Sequence, residues 1–327
     1  MAEAPEASLR EHNMLMVQRF ITLVMERGLI DFCDELLHPD VSFVDPSMPV
    51  NVPVDRKGIQ MAVAAIHECF SGYTLRMDDI FPVGNDIVVN RFTGHATHKG
   101  GFFGSQLTNK PISWTGNTIY RFKDGRIHRV WLQWDLLATL VQLGLVQAPI
   151  ATTPPSWVVP PVPGTPFVAS DRRVKRITGV VASVAENIAT VRRLFAGIMD
   201  EPIESLIEHC IAPDYQRHDN CALDGAPGNV DGFVRYIKAA RECFHTYSMD
   251  LEEIMGEGDR VVCRVRAHGL HRGGFLGIAA GGQQLDFSLT IIYRLDGARI
   301  AHSWVTWDVY RALSQLGALP PAPASLS

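Results

Sequence analysis

The residues whose types and spacing could do chemistry come in pairs. Asp45, in Phe43-Val-Asp-Pro46, is matched by Asp219, in Arg217-His-Asp-Asn220. A carboxylate facing an apolar cavity loses solvation, so its pKa climbs toward values useful for proton transfer. The same Asp before Pro46 also suits a turn or a local bond to backbone. His218 precedes Asp219 where Val44 precedes Asp45, so the two places are not equivalent. Tyr73 and Tyr247 form a second pair, able to donate to a developing oxyanion or simply to pack on a strand. His95 and His98 recur as His268 and His271. Residues three apart on a strand point to opposite faces, so neither pair can share one metal ion, and no third ligand has metal-site spacing. Asp135 and Asp308 each open a helical stretch that ends in glycine, and read first as N-caps. No Ser/His/Asp order, phosphate loop or nucleotide fingerprint is present.

These pairs follow from a duplication. His98-Lys-Gly-Gly-Phe-Phe-Gly104 recurs as His271-Arg-Gly-Gly-Phe-Leu-Gly277, Ile119-Tyr-Arg121 as Ile292-Tyr-Arg294, and Trp131-x-x-Trp134-Asp135 as Trp304-x-x-Trp307-Asp308. Gln142-Leu-Gly144 recurs as Gln315-Leu-Gly317, and the offset is 173 throughout. Between 98–146 and 271–319, 17 of 49 positions are identical. Upstream the offset is 174: Glu68-Cys-Phe70 pairs with Glu242-Cys-Phe244, and Pro39-Asp40 with Pro213-Asp214. The reading is a first domain over 8–146, a linker over 147–183 and a second domain over 184–320. Seven of the 20 prolines lie between Pro149 and Pro166, which makes the connection a stiff spacer. The basic run 171–176 follows it and reads as solvated linker.

Each half predicts the same elements. Helical spacing covers 8–27, with Gly28 as a C-cap, then a short helix, a strand-like stretch 41–46 stopped by proline, and a helix over 58–70. Strand-like runs follow at 73–81, 86–97, 111–122 and 127–134, with turn signals between them. Helices followed by a run of antiparallel strands is an α+β pattern. A curved sheet wrapped over helices makes a cone with a cavity at one end, a common place for a small molecule.

Taken together, Gly258-Asp-Arg-Val-Val-Cys-Arg264, His271, Gly274-Phe-Leu-Gly277, Tyr293-Arg294, Trp304-x-x-Trp-Asp308 and Gln315-Leu-Gly317 resemble the SnoaL-like polyketide cyclase family. The first half carries the series at Asp86, Arg91, His98, Phe102, Gly104, Tyr120-Arg121, Trp131, Asp135 and Gln142-Leu-Gly144. The resemblance implies two cones of the nuclear-transport-factor-2-like fold, packed as an internal pseudo-dimer. It implies a cofactor-free cyclase or isomerase of natural-product metabolism, acting on a polyketide, polyether or terpenoid. It also places Asp45 where ketosteroid isomerases hold their general base, and Tyr73 and Tyr247 near the second acid of epoxide-opening enzymes. His98 and His271 match the family's His before its glycine and become candidates for an acid/base or orienting role. His218 joins them as a neighbour of Asp219. The family's aldol acid falls at Leu132 and Val305, and its partner His at Thr118 and Ile291, so standard aldol chemistry loses both groups. Trp134 and Trp307 share a strand face with Leu132 and Val305 and are expected to wall the pocket, with Tyr120, Tyr293 and Thr118 as further lining. Arg91 and Arg264 pair with a strand carboxylate or face solvent.

Two other functions stay open: regioselective epoxide opening, which needs an acidic partner for Asp45, and non-catalytic binding of an apolar small molecule. A net charge of −5 argues against a nucleic-acid binder. No apolar run of roughly 18 residues is present, and MAEAPEASLREHN has no signal core, so a membrane partner is not expected and the protein reads as cytoplasmic. The six cysteines form no CxxC pair and read as buried thiols.

Overall fold

The computed structural model describes residues 6–47, 52–147, 182–219, 226–275 and 278–319. The Pro-rich connection and its basic run, like Cys221, lie outside the described residues. In the first half α1 (Glu6–Arg19) continues into a π-helical turn, Phe20–Glu26, followed by a 3₁₀ turn (Ile30–Phe32) and α2 (Cys33–Leu36). Then come β1 (Leu37–Val44), α3 (Arg56–Cys69), β2 (Phe70–Val83), β3 (Ile87–His98), β4 (Pro111–Lys123), β5 (Arg126–Trp134) and α4 (Leu136–Leu143). The second half repeats this as α5 (Val184–Gly197), α6 (Ile203–Cys210), β6 (Ile211–Asp219), α7 (Val230–Cys243), β7 (Phe244–Glu257), β8 (Arg260–His271), β9 (Gln284–Asp296), β10 (Arg299–Trp307) and α8 (Val309–Gln315). Both halves are α+β, each with one five-stranded sheet, in the orders β1-β5-β4-β3-β2 and β6-β10-β9-β8-β7.

The sheets are not wholly antiparallel. β1 pairs with β5, and β6 with β10, in parallel. The first strand leaves a helix at one sheet edge, and α3 and three further strands intervene before its neighbour is laid down, enough chain for a parallel crossover. The change of offset from 174 to 173 also has a place. β2 and β7 are both 14 residues long and β3 and β8 both 12, so the extra residue lies in the turn between them, 84–86 against 258–259.

The repeated motifs now have physical causes. On β5 the side chains alternate, sending Trp131 outward and Leu132 and Trp134 inward. Asp135 caps α4 by accepting from Ala138 N at 3.0 Å, and Asp308 caps α8 through Arg311 N at 3.0 Å. Gln142 clamps both backbone groups of Ser113, at 2.9 and 2.7 Å, while Gln315 does the same to Asp286. Asn13 and Asn187, a pair at offset 174, each donate to a carbonyl in the first hairpin turn.

The two sheets pack face to face. Phe81, Val83, Ile87, Val89 and Ile119 meet Met255, Val262, Ile292 and Trp304 in one buried cluster, which Trp131 flanks. The pseudo-symmetry is explicit: Arg91 lies over Trp304 at 4.9 Å, and Arg264 over Trp131 at 4.5 Å. Arg91 also sits 3.7 Å from Asp78, and Arg264 pairs with Glu252 and Glu253. Polar contacts across the seam include Asn117 Nδ2 to Thr306 Oγ1 at 3.1 Å and Ser288 Oγ to Gln133 Oε1 at 2.8 Å. Among the described residues, no helix is long and apolar enough to cross a membrane.

Candidate active site

The first cone is hollow. Its cavity of about 150 Å³ is walled by Phe20, Ile21 and Met25 from the π-turn, Ala62, Ala65 and Ile66 from α3, and inward side chains of the sheet. An engineered cavity of that size admits benzene. Gly94 makes room for one wall, because a Cβ built there would lie 2.2 Å from Trp114 Cε2.

Asp45 lines this cavity just past the end of β1. Its Oδ1 accepts from Ser47 N at 2.9 Å and from Ser47 Oγ at 2.6 Å, and its Oδ2 from Trp134 Nε1 at 3.1 Å. Trp134 also donates to Ser47 Oγ at 2.8 Å, closing a three-residue network. The turn and the cavity-facing readings of Asp45 therefore hold together: the turn bonds orient a carboxyl that still reaches the open space. Burial pushes that carboxyl up to about 6, against the opposing bonds from Ser47 and Trp134, and Asp308 of the second half adds a further upward push. Trp134→Phe removes one stabilising donor, so the Asp45 titration should move above 6. A pH profile or carboxyl NMR titration reads the shift, and an unchanged midpoint would contradict the bond's role.

The rest of the lining is mostly apolar. Leu132 stands inside the cavity, where the resemblance implied an aldol acid. Tyr73, Tyr120 and Thr118 also line it, with Tyr73 beside Trp114 at 5.4 Å between ring centres. Burial holds both phenols above their ordinary range, so each stays protonated and able to donate. Asp45 is the one carboxylic acid among the described lining residues.

Among the described residues, the second cone departs from the first at two positions visible at offset 174. Arg217 replaces the wall residue Phe43, and Tyr236 replaces Ala62. The Arg217 guanidinium lies over the Tyr236 ring at 4.4 Å and pairs with Asp219 at 2.6 Å. Burial opposes the guanidinium's charge, yet Asp219 holds its pKa above the ordinary value. Tyr247 hydrogen-bonds Tyr236 and stacks on Phe244 at 4.9 Å. Trp307 fills the centre between Phe275 and Phe287, with Tyr293 and Val305 in the same core. Tyr247, Trp307, Tyr293 and Val305 thus belong to the buried core of the second half, and Asp219 is paired with Arg217, where their first-half counterparts line the cavity. Ala62→Tyr, which brings in the second-half residue, should fill the first cavity: binding of 2-methylnaphthalene, read by tryptophan fluorescence, should fall at least tenfold with the fold intact. Undiminished binding would place the ligand elsewhere.

The histidines sit outside the cavity lining. His98 is wholly buried beyond it, with Nδ1 2.9 Å from Thr108 Oγ1 and Nε2 3.0 Å from Ser105 Oγ, so the ring ties down the 99–110 loop. That loop brings Phe102 and Phe103 to the cavity, and Phe103 meets Tyr310 of the second half edge-on at 6.1 Å. His271 is equally buried and approaches Gln283 Oε1 at 3.5 Å. Strand alternation turns His218 away from Asp219 and into the seam between sheets, stacked on Trp304 at 5.1 Å. Burial, then His302 and Arg91, lower its pKa to about 4, leaving a neutral ring. Among the described residues no group of three or more His, Cys, Asp or Glu is placed to hold a metal ion. Sequence reasoning missed Ser47, Asn90, Arg217 and Tyr236. The last two were legible as departures from the repeat, and Asn90 as a lone polar residue between inward Val88 and Phe92 on β3.

An α+β cone with a half-buried carboxylate at an apolar cavity, fused to a copy whose equivalent carboxylate is paired with an arginine, defines the class. The chain belongs to the SnoaL-like polyketide cyclase family, whose model matches residues 15–143 and 189–316. Membership supports a cyclase-type activity. Solved structures each align with about one half of the chain. TsrD from Streptomyces laurentii is 23% identical, covering 42% of this chain and 99% of its own, with TM-score 0.38. AclR from Streptomyces galilaeus is 23% identical, covering 43% and 87%, with TM-score 0.38. A SnoaL-like polyketide cyclase from Agrobacterium tumefaciens is 15% identical, covering 39% and 95%, with TM-score 0.33. No curated protein matches the chain in sequence.

Proposed function

We propose that the first half is a cofactor-free cyclase or isomerase of natural-product metabolism, and that the second half is its non-catalytic support. The substrate is an apolar ring-forming intermediate of polyketide, polyether or terpenoid type. The observation that carries this reading is Asp45: a carboxyl titrating near 6 at an apolar cavity, while Asp219 is neutralised by Arg217. At neutral pH Asp45 is ionised. Its oxygen takes a proton from carbon next to a carbonyl, the electron pair passes to the carbonyl oxygen, and a protonated phenol, Tyr73, donates to that oxygen. The enolate carbon attacks an electrophilic carbon of the same molecule or is reprotonated at another carbon. Asp45 then gives its proton back, so the net change is an isomerisation or ring closure.

Epoxide opening needs an acid for the epoxide oxygen as well as a base. The described lining residues give Asp45 no second carboxyl, which favours enolate chemistry. The test uses 2-tetralone, a small bicyclic ketone, in deuterated buffer at neutral pH. Proton NMR should show protein-dependent exchange at its α-carbons, saturable and inhibited by 2-naphthol. Exchange at the buffer rate, with 2-tetralone shown to bind, would overturn the base assignment.

A further inference from the structure

The first cavity has a second polar position that the proton-transfer chemistry does not use. Asn90 projects from β3 between Val88 and Phe92 and lines the cavity, with only 1% of the residue exposed. Its Oδ1 is buried and has no hydrogen-bond partner. A buried amide oxygen left unsatisfied is costly and rarely kept without a use. Its cross-strand neighbour Thr118 also lines the cavity, but bonds to Tyr120 instead.

The duplication supplies a control. The residue equivalent to Asn90 is Cys263, and that to Thr118 is Ile291; both are buried in the hydrophobic core of the second half. In the core of the second half, that position carries a fully buried thiol that needs no strong partner. The amide occurs where there is room for a ligand.

We infer that Asn90 is a specificity-determining residue that accepts a hydrogen bond from a neutral hydroxyl on the substrate's ring system. The described residues around it are mostly apolar and include no cation, so the matching group is an alcohol or phenol rather than a carboxylate or phosphate. A ligand with that hydroxyl satisfies Oδ1, and an isostere lacking it leaves the amide orphaned. The substrate is therefore a hydroxylated apolar ring compound, held at Asn90 while Asp45 works on it. This rests on the proposed ligand cavity, but not on Asp45 being a base.

The experiment compares 2-naphthol with its near-isostere 2-methylnaphthalene, by quenching of tryptophan fluorescence in the full chain. Wild type should bind 2-naphthol roughly tenfold more tightly or better. Asn90→Leu should abolish that preference while keeping affinity for 2-methylnaphthalene. Asn90→Cys, which installs the side chain of the second half, should do the same and covers the case of Leu disturbing the strand. Asp45→Asn should keep the preference. Equal wild-type affinities would overturn the assignment, as would a preference that survives in Asn90→Cys. A preference lost in Asp45→Asn alone would move the hydroxyl to the carboxylate. If neither compound binds wild type, the ligand cavity fails with it. Failed 2-tetralone exchange with an intact naphthol preference would overturn the base and leave Asn90 standing.

Discussion

Asp45→Asn is expected to lower α-proton exchange of 2-tetralone by about a thousandfold, within the range that a positioned base contributes. The amide keeps the size of the carboxyl and can still accept from Ser47, so the cavity should survive and naphthol binding should persist. In wild type the rate should be full above pH 6 and decline as pH falls through about 6, because the folded carboxyl titrates there and only its ionised form is a base. Stability should move the other way. The folded pKa of about 6 exceeds the ordinary value of 3.8, so the folded state binds this proton more tightly than the unfolded chain. The buried charge is thus a cost, fully present above pH 6 and relieved as pH falls from 6 toward 4. Asp45→Asn removes it and should raise stability at pH 8 by about 1–2 kcal/mol after allowance for solvent screening. A urea titration at pH 8 and at pH 5 checks this, with the gain confined to the higher pH. An inactive but less stable variant would mean that the carboxyl holds the fold together and that its loss of activity is indirect.

Asp219→Asn should show the reverse pattern. Asp219 and Arg217 have 7% and 13% of their side chains exposed, so their pairing is made in a dry interior. Removing the carboxylate's charge strands the guanidinium, and breaking a buried pair from one side costs about 3–5 kcal/mol. The urea midpoint should drop accordingly, while exchange per folded molecule stays within about twofold of wild type. The double variant Arg217→Phe/Asp219→Asn brings back the first-half phenylalanine and should recover much of the loss. The assignment of the second half as support would be sunk by an Asp219→Asn protein that keeps its stability but loses exchange.

The two cones share ancestry and a fold but differ in what surrounds the shared carboxylate, and the second still affects the first. Phe103 of the cavity rim packs on Tyr310, and Asp308 adds charge near Asp45. Together with the sheet-to-sheet seam, these contacts hold one wall of the reaction site against the second half. Fusion in one chain keeps that partner present at any protein concentration, with no dimer to dissociate.

Much of the fold was legible in the sequence. Side-chain period and turn residues fixed the eight long strands to within a few residues, because alternation and turn chemistry are local. The repeat fixed the duplication, and Asp135, Asp308, Gln142 and Gln315 behave as their helix-end positions imply. The parallel pairing of β1 with β5 was not legible, since neighbours in a sheet are chosen by packing across the whole half. Nor was the fate of each candidate side chain. Asp45 and Asp219 are the same residue at the same register, yet one meets open space and the other a guanidinium. That difference is set by residues 43 and 62 against 217 and 236, far apart in sequence and adjacent only across the folded cone. His98 and His271 kept the motif but serve a loop, and Trp134 both walls the cavity and donates to the carboxylate. Sequence determined which groups exist and which face of its element each occupies. Tertiary structure decided which of them are desolvated, paired or open, because desolvation depends on every neighbour brought into contact by folding.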